Sequence, residues 1–175
     1  MGKPDTVTIR ELPGLQSFDV RVAPESETYA AIKKALGVDL PMKPGKMGTR
    51  SVSDEVDGYM LCLAPDWWLI VGMQEVEQRV EPLRMEDNYH FSVVDVSGQR
   101  TTIELEGPDV LKVLSRLWDQ DLRLKSFPVG SMSQGLMAKA PVIVCNIGEY
   151  RYRIMVRSSF ARHLWNVLED LLQGD

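Results

Sequence analysis

Catalysis by side chains requires a nucleophile beside a base, carboxylates with separated pKa values, or a metal cage, and each leaves a recognisable spacing. The chain has two histidines, His90 and His163, and two cysteines, Cys62 and Cys145. Neither histidine has a second His or Cys at ligand spacing, so no zinc site is expected. No G-x-S-x-G elbow, Walker loop or G-x-G-x-x-G fingerprint occurs. Gly130, Gly135 and Gly148 lack the strand–turn–helix setting that cradles phosphate and read as turn residues. No catalytic, cofactor-binding or metal-ligating residue is therefore expected on this chain. Each cysteine sits in an apolar run, 59–64 and 141–147, which suits a buried free thiol in a reducing cytosol better than a disulfide.

Asp95 is the carboxylate that stands out, because it interrupts the apolar run of Phe91, Val93, Val94 and Val96. One reading is a general base or an amine-binding group. The favoured one is a strand-end aspartate that accepts hydrogen bonds from the Ser97-Gly98-Gln99 turn. Two other features suggest contact surfaces. In Trp67-Trp68-Leu69-Ile70-Val71 both faces of the alternation are apolar, so the strand is either central or closed on one face by a partner, with Trp68 as the partner-facing candidate. In 150–157, alternation sends Tyr150, Tyr152, Ile154 and Val156 inward and Arg151, Arg153, Met155 and Arg157 outward. With Arg162 nearby, that stripe is either a solvated face or a dock for an acidic protein surface.

The elements that must carry these residues are marked by period and caps. A helix follows Pro24, capped by Ser26, striped by Tyr29, Ile32 and Leu36 and stopped by Gly37. A second opens at Gly107-Pro108-Asp109 with Val110, Val113, Leu114 and Leu117 at helical spacing. A third starts at Ser158 or Ser159 and carries Phe160, Leu164, Val167, Leu168 and Leu171, and a weaker one covers 74–83. Strands are expected at 6–10, 17–22, 58–64, 67–72, 91–96, 101–106, 135–145 and 150–156, with a loop over 41–56. Each half thus runs strand, strand, helix, loop, strand, strand, helix. This predicts an α+β protein made of two similar halves, 1–87 and 88–175, intertwined in one compact body with helices covering the sheets.

Composition agrees with a self-supporting core. The 175 residues are 44% hydrophobic and 26% charged, and a chain of this size buries about 70% of its unfolded surface. The net charge of −5 and the absence of long Lys/Arg runs argue against a nucleic-acid or anionic-membrane partner. No stretch approaches the length of a membrane span. A cytoplasmic protein is expected.

The ordered series Val93-Val94-Asp95-Val96-Ser97, Ile103 to Leu111 with Leu105-Glu106-Gly107-Pro108-Asp109, Phe127-Pro128-Val129-Gly130, Leu136 to Val142 and Arg157-Ser158-Ser159-Phe160-Ala161 resembles the γ subunits of heterotetrameric sarcosine oxidases. The first half fits through Leu36 to Pro41 and Ala64 to Leu69, so the resemblance spans nearly the whole chain. It implies a shortened relative of the folate-binding aminomethyltransferases, with their duplicated ferredoxin-like units. It also implies partners, the α, β and δ subunits of a complex that oxidatively demethylates sarcosine. FAD, FMN, NAD and tetrahydrofolate would then serve the complex rather than this chain, which supplies structure. The aminomethyltransferases place an acidic, glycine-rich segment after the strand that here reads Pro141 to Asn146, which carries no carboxylate. Folate chemistry on this chain is accordingly not expected. A free-standing folate- or pterin-binding module, or a γ-like subunit of a related amine or amino-acid oxidase, are the alternatives.

Overall fold

A computed structural model describes residues 7–52 and 55–174; Thr6, where the first strand was expected to start, lies outside them. Among the described residues, ten strands and four α-helices form two units.

The first unit covers Leu15–Ser97. It contains β2 (Ser17–Val22), α1 (Glu27–Leu36), β3 (Met47–Val52), β4 (Glu55–Ala64), β5 (Trp67–Val71), α2 (Val76–Arg84) and β6 (Phe91–Asp95). Their antiparallel sheet has the order β3-β4-β5-β2-β6. Four of its strands follow the split βαβ arrangement of a ferredoxin-like unit, and β3 is added outside β4. Helix α1 forms as its sequence dictates. Ser26 Oγ accepts from the Tyr29 amide at 3.0 Å, Glu27 lies at the positive end, and Gly37, at φ 67°, returns its N–H to the Lys33 carbonyl. Its stripe of Tyr29, Ile32 and Leu36 packs with Val20, Met60, Trp68, Ile70, Val76 and Val80 into one core.

The second unit comprises the segment ending at Gly14 and the chain from Gly98 onward. Its elements are β1 (Thr8–Leu12), β7 (Arg100–Glu106), α3 (Val110–Leu114), β8 (Met132–Met137), β9 (Ala140–Gly148), β10 (Arg151–Arg157) and α4 (Ser158–Gln173). The sheet order is β1-β7-β10-β9-β8, again antiparallel. Matching strand to strand, β7, α3, β8, β9, β10 and α4 repeat β2, α1, β3, β4, β5 and α2. The duplicated ferredoxin-like plan is therefore present, with one exchange. The last strand of the first unit is β6, whereas its counterpart in the second is β1, from the other end of the chain. Helix α4 buries Leu164 and Leu168 against a core of Ile103, Leu105, Val144, Tyr152 and Ile154.

Several local expectations change. Residues 41–56 are not one loop, because β3 and the start of β4 form a hairpin there. Gly48 marks the reason: a Cβ on it would come within 2.9 Å of the Asp39 carbonyl, so only glycine lets this short polar strand pass the preceding loop. Residues 135–145 are not one strand but two, turning at Ala138 and Lys139 with φ 48° and 67°. Helix α3 stops at Leu114 rather than reaching Leu117, although the Trp118 amide still donates to the Leu114 carbonyl. The unit boundary after Ser97 lies ten residues beyond the expected 87/88 division, because β6 pairs with β2 and so completes the first sheet.

Candidate functional site

The groups that could do chemistry are dispersed, and most are engaged in holding the fold. Asp95 ends β6 at the surface, where its carboxylate accepts from the Ser97 amide at 2.8 Å and the Ser97 hydroxyl at 2.5 Å. The hydroxyl and the amide hold its pKa below the usual carboxylate value. This is the strand-end aspartate expected from the sequence, and a carboxylate so stabilised is a poor base at neutral pH. Ser97 in turn caps the Ser17 amide at 3.0 Å, tying the end of β6 to the start of β2.

Both histidines are exposed. His163 Nε2 lies 2.9 Å from the Ala138 carbonyl, linking α4 to the β8–β9 turn. Both cysteines are free and buried; burial pushes the Cys145 thiol up to about 12 and also raises Cys62, which keeps both protonated. Among the described residues, no three His, Cys, Asp or Glu are grouped to hold a metal ion, and no helix is long and apolar enough to cross a membrane.

The most concentrated charge is one the sequence did not announce. Arg10, Glu104 and Arg153 stand side by side on β1, β7 and β10, and Arg151 reaches in from the next row. Glu104 has a fully buried side chain. Its Oε2 accepts from Arg153 Nε at 2.8 Å, and its Oε1 takes Arg10 Nε at 2.8 Å and Arg151 Nη2 at 3.0 Å. Burial alone would raise this pKa, but the hydrogen bonds from Arg153, Arg10 and Arg151 outweigh it and hold the carboxyl ionised. Both sequence signals were visible: an apolar strand broken by Glu104, and arginines at alternate positions of β10. What was missing was the register that opposes them.

This register corrects both readings of the arginine stripe, the solvated face and the dock, for Arg153 and Met155. Arg153 is buried on Glu104, Met155 is 2% exposed, and Arg151 is half-buried against Glu104, with Glu106 at 3.7 Å. The strand is central in its sheet, paired with β7 on one side and β9 on the other. Arg157 and Arg162 remain exposed. Trp68 is likewise not a surface residue: it is 0% exposed, stacks obliquely on Tyr29 at 5.5 Å and donates from Nε1 to the Pro41 carbonyl at 2.8 Å. Of the two alternatives for its strand, the central one holds.

Two grooves occupy matching places in the two units, each beside the second helix. In the second unit, a groove of about 400 Å³ is lined by Ile103, Ser158, Arg162 and Trp165. In the first, a groove of about 220 Å³ is lined by Phe18, Glu75, Glu77 and Asp95. The groove of the first unit is acidic, whereas that of the second sets Glu11 beside Arg162 and is of mixed charge.

Comparison with known proteins places this geometry. Residues 22–173 match the model of the sarcosine oxidase, gamma subunit family. The sarcosine oxidase subunit gamma of Corynebacterium sp. strain P-1 is 30% identical over 168 residues, which cover 95% of this chain and 80% of that protein. A chain of the heterotetrameric sarcosine oxidase from Corynebacterium sp. U-96, solved with pyrrole 2-carboxylate, superposes with a TM-score of 0.86 at 29% identity, over 95% of this chain and 84% of that one. The glycine cleavage system aminomethyltransferase T of Bartonella henselae shares the fold, with a TM-score of 0.64 at 15% identity over 93% of this chain and 45% of that one.

Proposed function

Because the chain belongs to the sarcosine oxidase gamma subunit family, we propose that it is the accessory, non-catalytic subunit of a complex that oxidatively demethylates sarcosine. The observation that carries this reading is the family match over nearly the whole chain, joined to the likeness with a chain of a heterotetrameric oxidase. The chemistry of the side chains supports it. Asp95 and Glu104 are spent on hydrogen bonds that keep them ionised, and Cys145 is held as a thiol. A general base requires a pKa poised near the working pH, and these groups are tuned away from it.

In this reading the α and β subunits hold the flavins FAD and FMN, NAD also serves the complex, a δ subunit completes the assembly, and tetrahydrofolate accepts the one-carbon unit elsewhere in the complex. The assembly works in the cytoplasm. Arg157 and Arg162, exposed at the start of α4, offer an acidic partner surface two charges that the Glu104 cluster leaves available.

The test is purification of the tagged chain from cells that make the whole complex. Two larger flavin-bearing chains are expected to elute with it, and the eluate to produce hydrogen peroxide from sarcosine. The chain expressed by itself is expected to do neither. Turnover of sarcosine by the chain alone, or elution alone with measurable affinity for tetrahydrofolate, would contradict the proposal.

A further inference from the structure

The groove beside α4 in the second unit is built from two elements, a sheet edge and a helix side. On the sheet, Glu11 of β1 stands directly opposite Ile103 of β7, and Thr101 lies two residues along β7. All three therefore project from the face that α4 covers. On the helix, Ser158, Arg162 and Trp165 follow at intervals of four and three and share one side of α4. Ile103, fully buried, and Trp165, half-buried against the same core, give the groove its apolar surface. The Ser158 hydroxyl is fixed, donating to the Gly98 carbonyl at 2.9 Å.

Two opposite charges line this groove and are not spent on each other. Glu11 and Arg162 are both exposed, and among the described residues neither takes part in an ion pair or a side-chain hydrogen bond. They differ in this from the other arginines of the same sheet, since Arg10, Arg151 and Arg153 all bond Glu104. A ligand with one charge would satisfy one rim and be repelled by the other. A ligand with both charges on an apolar body satisfies both, while its body covers Ile103 and Trp165. The volume of about 400 Å³ lies in the range of small-molecule sites.

We infer that this groove binds a small zwitterion with an apolar body, an α-amino acid with an aromatic side chain. Arg162 takes its carboxylate, Glu11 takes its ammonium group, and the side chain lies against Trp165 and Ile103. A guanidinium carries five donors, so a carboxylate held by two of them leaves the rest for a partner surface. The groove lies wholly within the second unit, so the inference does not depend on the reading of the chain as an oxidase subunit.

Titration of the full chain at neutral pH with three probes of one shape tests it without any substitution. L-phenylalanine carries both charges, phenethylamine lacks the carboxylate, and hydrocinnamate lacks the ammonium group. L-phenylalanine is expected to shift the NMR signal of the Trp165 indole N–H saturably, with a dissociation constant below about 10 mM. It is also expected to bind at least about tenfold more tightly than either analogue. Variants at the two exposed rim positions then separate the charges. Glu11→Gln is expected to abolish the preference over hydrocinnamate and keep that over phenethylamine, and Arg162→Gln to do the reverse. Absence of saturable binding, equal affinity for the three probes, shifts confined to signals outside the groove, or unchanged preferences in either variant would each overturn the inference.

Discussion

The two units solve the same packing problem with different chemistry in the middle of the sheet. On β5, Trp68 donates to the Pro41 carbonyl at 2.8 Å; on β10, Tyr152 donates to the Leu122 carbonyl at 2.8 Å. Each ties down the segment that follows the first helix of its unit. The next residue along is Leu69 in one and Arg153 in the other, and the cross-strand neighbours are Asp19 with Val94 against Glu104 with Arg10. In the first unit Leu69 and Leu61 are simply buried, while Asp19 stays near the surface and accepts from Trp67 Nε1 at 3.1 Å. In the second unit the same row is ionic. The difference follows from the exchanged strand. β6 continues directly from its own unit, but β1 comes from the far end of the chain, and the Arg10–Glu104 pair holds it in place. A fully buried carboxylate costs desolvation, which the hydrogen bonds from Arg153, Arg10 and Arg151 offset here.

The largest effect should therefore come from Glu104. Glu104→Gln is expected to destabilise the chain by about 3–5 kcal/mol, because it removes the buried charge opposite the Arg153 guanidinium, whereas Asp19→Asn should cost below about 1 kcal/mol. Denaturant melts of both variants measure the contrast, and equal costs would erase it. The pH dependence sharpens it. Glu104 has a folded pKa below that of the unfolded carboxyl, about 4.3, so its contribution is complete above that value and is lost as pH falls through the lower folded one. The Glu104→Gln variant should lack that limb of the acid-unfolding curve.

Next are the matched aromatic ties. Trp68→Phe should cost about 2–3 kcal/mol, from the lost volume and the orphaned Pro41 carbonyl. Tyr152→Phe should cost about 1–2 kcal/mol, because only the hydroxyl goes. If Tyr152→Phe were silent, the two ties would not be equivalent. Gly135→Ala should cost about 1–3 kcal/mol by forcing the Trp118 ring aside, read as a drop in melting temperature. The smallest effect concerns the thiols. Cys62 and Cys145 should resist alkylation at pH 8 in the native chain and react once it is unfolded; labelling of either in the native state would contradict their burial.

Much of this was legible in the sequence, and the reasons are local. Ser26, Gly37 and the α1 stripe act within one helix, so the sequence alone placed them. The strand-end role of Asp95 depends on a residue two positions away and was readable for the same reason. The failures involve distant partners. Nothing in 150–157 says that Arg153 faces a glutamate 49 residues earlier, so the alternation was right about Tyr152, Ile154 and Val156 but wrong about the exposure of Arg153 and Met155, and about Tyr150, which precedes the strand and is exposed. The hairpin at Ala138 and Lys139 was missed because its turn carries neither glycine nor asparagine at the positive-φ positions. The exchange of β1 for β6 leaves no local mark at all, since it is a property of pairing and not of period.

The central claim is that this chain supplies structure and not chemistry, and turnover by the assembled oxidase tests it most directly. With Asp95→Asn, His90→Gln and His163→Gln combined in this subunit, kcat for sarcosine is expected to stay within about twofold of the unmodified complex. A positioned acid or base contributes roughly 10²–10⁴-fold, so a loss of that size in a fully assembled complex would contradict the account.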